Sequence, residues 1–283
     1  MREEIWFDHV HAYFYESSGE ADYSLLIVHG IGGNGSTYDV FCYPLAERGV
    51  NIYSMDLPGH GKTKNEKGNF RFSEWLADMD VAARAIQERH PGKPVFVLGS
   101  SQGAGPAFHS LATSDAIAGG ILMGMAVLHE VPPRGDVGGK LYADLNAPEA
   151  EVHEAQVGDS ERFDLVTLLD WNKNYAKDDP DILAKKMQDP LRAWSYGYAS
   201  MRSIYTYQPP IPASANRKPL LVTAGEADPI VPAKFVSEAF EVIGGPKELN
   251  IVPNGTHQLM LYHTDLYVPL IDNWVRRQLT GAD

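Results

Sequence analysis

The chain has 283 residues, 44% of them hydrophobic, with a formal net charge of −13. That is enough for a large core in one α/β domain or two smaller ones, and an acidic balance without a Lys/Arg run argues against a nucleic-acid partner. One cysteine, Cys42, excludes an internal disulfide and fits a reducing, cytoplasmic setting. The opening residues lack the apolar core of a signal peptide, and no run approaches about 18 apolar residues.

In chain order, residues 5–16 alternate loosely and predict one or two opening strands, in an antiparallel hairpin if two. Ser24–Val28 reads as a buried strand ending in the glycine-rich loop His29-Gly30-Ile31-Gly32-Gly33-Asn34-Gly35, with Ser36 placed to cap a helix through Arg48. Asn51–Met55 is a strand that closes at Asp56-Leu57-Pro58-Gly59-His60-Gly61. A long helix follows from Ser73, with Leu76, Met79, Ala83 and Ile86 at helical spacing. Val95–Leu98 is a strand that enters Gly99-Ser100-Ser101-Gln102-Gly103 and then a helix to Ala112. Gly119–Met125 is a further strand. From about Leu128 to Pro212 the rhythm breaks into a Pro-, acid- and aromatic-rich segment, with helical pieces predicted near 163–175, 181–186 and 190–205. Alternation resumes with a strand at Pro219–Ala224, a helix at Ala233–Ile243, a strand at Leu249–Val252 and a closing helix at Asp265–Leu279. Strands alternating with helices predict a parallel sheet covered on both faces. The interruption reads as an insertion over the carboxyl ends of the strands, where such sheets bind ligands.

Strand, then Gly-X-Ser-X-Gly, then helix is the context of a nucleophile elbow. The chain must reverse within about three residues, so Ser101 is forced into a strained backbone conformation flanked by glycines. A serine hydroxyl needs a base, and the base an orienting carboxylate. His257 follows the Leu249 strand and Asp228 follows the Pro219 strand, which gives the order Ser, Asp, His at successive strand ends. Glu226, two residues nearer its strand, is the rival acid. Acyl transfer places negative charge on the former carbonyl oxygen, and the N–H groups of Gln102 and Ile31 are the candidate donors for it. His29 reads as a structural hydrogen-bonding residue.

Together, His29-Gly30-Ile31-Gly32, Asp56-Leu57-Pro58-Gly59-His60-Gly61, Gly99-Ser100-Ser101-Gln102-Gly103, Gly225-Glu226-Ala227-Asp228 and Gly255-Thr256-His257 resemble the motif set of the α/β-hydrolase superfamily. Within it the chain is most similar to the monoacylglycerol-lipase and lysophospholipase group, over its whole length apart from the insertion. The resemblance implies a mostly parallel eight-stranded sheet. It implies a core of residues 1–127 and 213–283, with a helical cap of residues 128–212 inserted after the sixth strand. Gln102 departs from the group, which more often has Met after the serine. Ser101 argues against the epoxide-hydrolase and dehalogenase branches, whose nucleophile is Asp.

His109, His129, His153 and His263 lack metal-ligand spacing, so no metal or other cofactor is expected. The Gly30–Gly35 loop lacks the Gly-Lys-Ser/Thr of a phosphate loop. Trp171, Trp194, Tyr198, Met201 and Tyr205 are candidates to line an apolar substrate pocket, the last four at helical spacing, which equally suits plain packing. The resulting expectation is a cofactor-free serine hydrolase of carboxylic esters whose partner is a small molecule with an apolar acyl part. Self-association into a homo-oligomer is left open. The alternatives are a lactone, amide, peptide or carbon–carbon bond on the same triad, or a ligand receptor built on this body.

Overall fold

The computed structural model describes residues 2–125, 130–134 and 137–281. The strands are, in chain order, β1 (Arg2–Phe7), β2 (Val10–Tyr15), β3 (Tyr23–Val28), β4 (Val50–Met55), β5 (Val95–Ser100), β6 (Ile117–Met123), β7 (Arg162–Asp164), β8 (Ser195–Gly197), β9 (Leu220–Gly225) and β10 (Lys247–Val252). Eight of them form one sheet in the order β1-β2-β4-β3-β5-β6-β9-β10, while β7 and β8 pair only with each other. β1 and β2 are the hairpin at the sheet edge, and β2 runs antiparallel to β4. The pairs from β4 to β10 are all parallel.

The helices are α1 (Asp39–Ala46), α2 (Phe72–Arg89), α3 (Ala104–Thr113), α4 (Gly138–Leu145), α5 (Ala150–Val157), α6 (Leu165–Leu168), α7 (Trp171–Tyr175), α8 (Ile182–Lys186), α9 (Tyr198–Tyr205), α10 (Ala233–Val242), α11 (Leu259–Tyr262) and α12 (Thr264–Thr280). Successive strand residues point to opposite faces, and both faces are covered. Leu26, Val28, Val97 and Leu122 pack with Trp75 and Met79 of α2 and Phe108 of α3. Leu25, Ile27, Leu98 and Ile121 pack with Phe41 of α1 and Ile271 and Trp274 of α12. Burial on both sides explains why these strands are continuous apolar runs.

β6 and β9 are direct neighbours, so everything between them is inserted at one point of the sheet. Leu128 and His129 lie outside the described residues. Local structure within the insertion differs from its periodicity. The stretch 190–194 is not helical, and 195–197 is the strand β8, with helix beginning only at Tyr198. Asp159 fixes that start, its Oδ1 accepting from the Ser200 N–H and Oγ, and Gly197 is needed because a Cβ there would stand 2.2 Å from Asp159 Oδ1. Phe163 lies in β7, and the rest of 163–175 is two short helices, α6 and α7, headed by the side-chain caps Asp164 and Asp170. α4 and α5 were not expected: α5 buries only Ala150, and α4 only Leu141 and Leu145. At the first crossover Asn34, not Ser36, is the side-chain cap: its Oδ1 accepts from the Ser36 N–H at the head of a short 3-10 turn, Gly35–Tyr38, that leads into α1.

Asp56, at the end of β4, is fully buried. Its Oδ1 accepts from Gly35 N–H at 2.6 Å, and its Oδ2 meets His11 Nδ1 at 2.7 Å and Lys62 N–H at 2.8 Å. Gly61 sits so close that a Cβ would stand 2.1 Å from the carboxylate. One anion thus joins β2 to two strand-end loops. Replacing it leaves three donors unmatched, two of them buried, which costs about 3 kcal/mol or more. Asp56→Ala is expected to lower the urea midpoint accordingly, and an unchanged midpoint would refute this role.

Candidate active site

Ser101 follows β5 directly and has φ +54°, a left-handed conformation that a non-glycine residue rarely adopts. Its neighbours show why glycine is required: a Cβ on Gly99 would stand 2.3 Å from the Gly103 carbonyl oxygen, and one on Gly103 would stand 2.4 Å from that of His29. Tyr38 supports the turn by donating to Ser100 Oγ at 2.7 Å.

His257 Nε2 lies 2.9 Å from Ser101 Oγ, and His257 Nδ1 lies 2.7 Å from Asp228 Oδ2. The other carboxylate oxygen, Asp228 Oδ1, accepts from the N–H groups of Ile230 and Val231 at 2.8 and 2.9 Å. With Nδ1 donating to Asp228, Nε2 is left to accept the serine proton. All three residues are buried. Glu226 is exposed and accepts from the Asn254 N–H instead.

The β3–α1 loop passes against this centre, with the Gly30 backbone so near that a Cβ would stand 3.2 Å from that of Ser101. Ile31 and Gln102 both line the cavity that opens over Ser101 and His257. Tyr196 of β8 links the β3–α1 loop to the turn after β5. Its hydroxyl meets Gly32 N–H at 2.7 Å, His60 Nε2 at 2.7 Å and the Gln102 side-chain amide at 3.0 Å. His60 donates from Nδ1 to the Pro58 carbonyl, 3.1 Å away, so its Nε2 accepts the single phenol proton. The phenol oxygen takes the Gly32 N–H, while Gln102 Oε1, 3.0 Å from the same hydroxyl, shares the phenol proton with His60. The Gln102 side chain is therefore committed to Tyr196.

The upper cavity wall comes from the insertion and includes Leu141, Leu168, Trp171, Tyr175, Met201 and Tyr205. Of the four residues singled out from their helical spacing, Met201 and Tyr205 line this cavity, whereas Trp194 and Tyr198 are not among its lining residues. Because 190–194 is not helical, Trp194 turns against Trp171 (ring centroids 5.7 Å apart) beneath Arg192. Tyr198 stacks on Phe163 and packs against His153. Sequence reasoning also missed three cations on the wall, Arg134, Lys186 and Arg192, for which residues without a motif gave no signal. Among the described residues no cluster of side chains suits a metal, and no helix is long and apolar enough to cross a membrane.

His29 donates from Nδ1 to the Gly30 carbonyl and accepts at Nε2 from Leu57 N–H. Burial pushes its pKa down to about 4. Burial, with His29 alongside, pushes His60 well below the ordinary 6.5. Both rings stay neutral in the fold, whereas the unfolded chain takes up protons below about 6.5. Stability is therefore complete above that pH and is lost as pH falls below about 6.5, towards about 4 for His29, by about 1.4 kcal/mol per pH unit for each ring. His29→Asn or His60→Gln should flatten the decline in urea midpoint between pH 7.5 and 5. Slopes equal to the parent's would contradict this account.

A family model described as serine aminopeptidase, S33, of the hydrolase type, matches residues 19–263. A monoglyceride lipase homolog of monkeypox virus is 33% identical over 81 residues, 28% of this chain and 29% of that one, so the match spans under a third of that relative's length. Two solved structures share the fold, each at a TM-score of 0.72. A thermostable carboxyl esterase from Bacillus coagulans, bound to glycerol, is 19% identical, with 96% of this chain and 98% of that one covered. A monoglyceride lipase variant from Saccharomyces cerevisiae, bound to a substrate analog, is 18% identical, with 96% and 93% covered.

Proposed function

Starting from a chain that belongs to the serine aminopeptidase S33 family of α/β hydrolases, we propose that it hydrolyses small-molecule carboxylic esters through Ser101, His257 and Asp228. The observation that carries this reading is the continuous bond path from Ser101 Oγ through His257 to Asp228, at the floor of a mainly apolar cavity. Ser101 Oγ attacks the ester carbon while His257 Nε2 takes its proton. The N–H groups of Ile31 and Gln102 hold the oxyanion of the tetrahedral intermediate. As that intermediate collapses, His257 returns the proton to the departing alcohol. Water, giving its proton to the same nitrogen, then attacks the acyl-enzyme, and Ser101 is regenerated with the acid. Asp228 keeps the imidazole in the tautomer each step needs and supports its positive charge.

The wall chemistry favours an ester over an aminopeptidase substrate. Binding a free α-amino group calls for an open carboxylate. The carboxylate that the described cavity wall supplies, Glu238, is paired with Arg134 at 2.7 Å. Residues 128–212 act in this reading as a cap over a core of residues 1–127 and 213–283, supplying the wall against which the acyl part packs. The homologous lipases and esterases named above lend support as relatives.

Ser101→Ala, His257→Ala and Asp228→Asn should each lower turnover of p-nitrophenyl esters by about a thousandfold or more, with losses that do not add. Glu226→Gln should retain activity. Fluorophosphonate labelling that survives Ser101→Ala would overturn the nucleophile, and near-full activity of Asp228→Asn would overturn the acid.

A wall that packs on the acyl chain contributes about 0.8 kcal/mol per buried methylene, roughly fourfold in rate per carbon. Tyr205→Ala and Met201→Ala should therefore shift chain-length preference across an ester series. Tyr198→Ala should lower the melting temperature and leave the preference profile alone. If all three variants keep the parent's profile, α9 has no part in selectivity.

A further inference from the structure

Lys186 and Arg192 form part of the cavity wall that Ser101 and His257 also line. A guanidinium has five N–H donors. Arg192 is buried, yet its Nε–H has no partner, and Nη2 donates only to the Ile31 carbonyl oxygen at 3.3 Å. Its plane is held by two indoles, Trp171 and Trp194, with the guanidinium carbon 5.7 and 5.2 Å from their ring centres. That contact positions the group without neutralising it. Asp189, the carboxylate with an electrostatic hold on both cations, is already bonded to Asn34 Nδ2 at 2.6 Å and Leu191 N–H at 2.9 Å. Lys186 also feels Asp179, but that carboxylate is engaged by Lys185 at 2.7 Å. Burial and the neighbouring Arg192 push Lys186 down to about 7, as two like charges facing one apolar space should.

Two cations without a directly bonded carboxylate, in a mainly apolar cavity whose third cation, Arg134, is already paired with Glu238, in a protein with net charge −13, are costly unless something negative enters. Their low-dielectric walls also focus the field where the whole surface would repel an anion. We propose that Arg192 and Lys186 form an anion subsite, so that the preferred substrate is an ester bearing a carboxylate or phosphate on the part lodged in the cavity. The proposal rests on the ester-hydrolase reading. It predicts that a neutral fatty ester is the poorer substrate.

Two measurements test it. The first compares kcat/KM for p-nitrophenyl hydrogen succinate, adipate and suberate with the neutral butyrate, hexanoate and octanoate. At the length that spans the cavity the half-ester should be favoured by about tenfold, as one charge-assisted bond provides. That ratio should collapse in Arg192→Gln and in Lys186→Gln, the second variant serving where the first fails to fold. The second measurement is calorimetric binding of inorganic phosphate and of glutarate to the Ser101→Ala protein. It needs no turnover, separates phosphate from carboxylate, and detects an anion carried on the alcohol side of the ester. The proposal is overturned by parity at every length together with no binding of either anion. A preference that persists in both variants also overturns it. Neutral esters turned over in a Ser101-dependent way, with neither effect, would leave the hydrolase reading standing and remove only the subsite.

Discussion

The left-handed backbone at Ser101 is the constraint on which the rest of the site depends. A φ of +54° at a serine is unfavourable by roughly 1–3 kcal/mol and persists only if the surroundings leave no alternative. Here Gly99 and Gly103 allow β5 and α3 to close on each other, and the His29 carbonyl stands where a side chain on Gly103 would go. The turn is thus enforced by contact from β3 as much as by its own residues. The strain directs the hydroxyl away from the sheet towards His257, which approaches from the loop after β10.

A second constraint is the set of neutral hydrogen bonds beneath the cavity. His29 and His60 each use one ring nitrogen as donor and the other as acceptor, so neither has room for a second proton. That fixes the phenol of Tyr196, and the phenol in turn fixes Gly32 and Gln102. The donors proposed for the oxyanion are backbone groups of the neighbouring residues. Their directions are set before substrate arrives, which is what electrostatic preorganisation requires.

Much of this was legible in the sequence because it rests on local rules. Buried parallel strands are apolar on both faces, and the strand ends carry Ser101, Asp228 and His257 in an order that a parallel sheet brings together. Gly30, Gly99 and Gly103 stand where backbones meet, so their positions announced close contact. The insertion obeyed no such rule. Trp194, Tyr198, Met201 and Tyr205 share a helical spacing, yet a strand ends at Gly197 and the helix begins after it, so Trp194 belongs to another cluster. The asparagine cap at Asn34 was hidden by the adjacent serine, since both residue types accept the same N–H bonds. Arg192 and Lys186 become conspicuous only once the carboxylates around them are seen to be engaged elsewhere.

Tyr196 reaches the floor of the cavity from β8, and β8 with the residues just before it is bound to the core. Gly197 N–H donates to the Gly68 carbonyl, Ala193 N–H to that of Gly32, and Gly61 N–H to that of Leu191, while Arg162 of β7 bonds Asn69. α4 is held more lightly, through Arg202 to the Leu145 carbonyl, with Asn146 just beyond it reaching the Tyr205 carbonyl. The inserted segment is therefore not an interchangeable module. Grafting the corresponding stretch of a relative onto this sheet would exchange one wall of the cavity. It would also remove the one phenol that Gly32, His60 and Gln102 share, so a chimaera would need a matching partner for all three before its new specificity could be read.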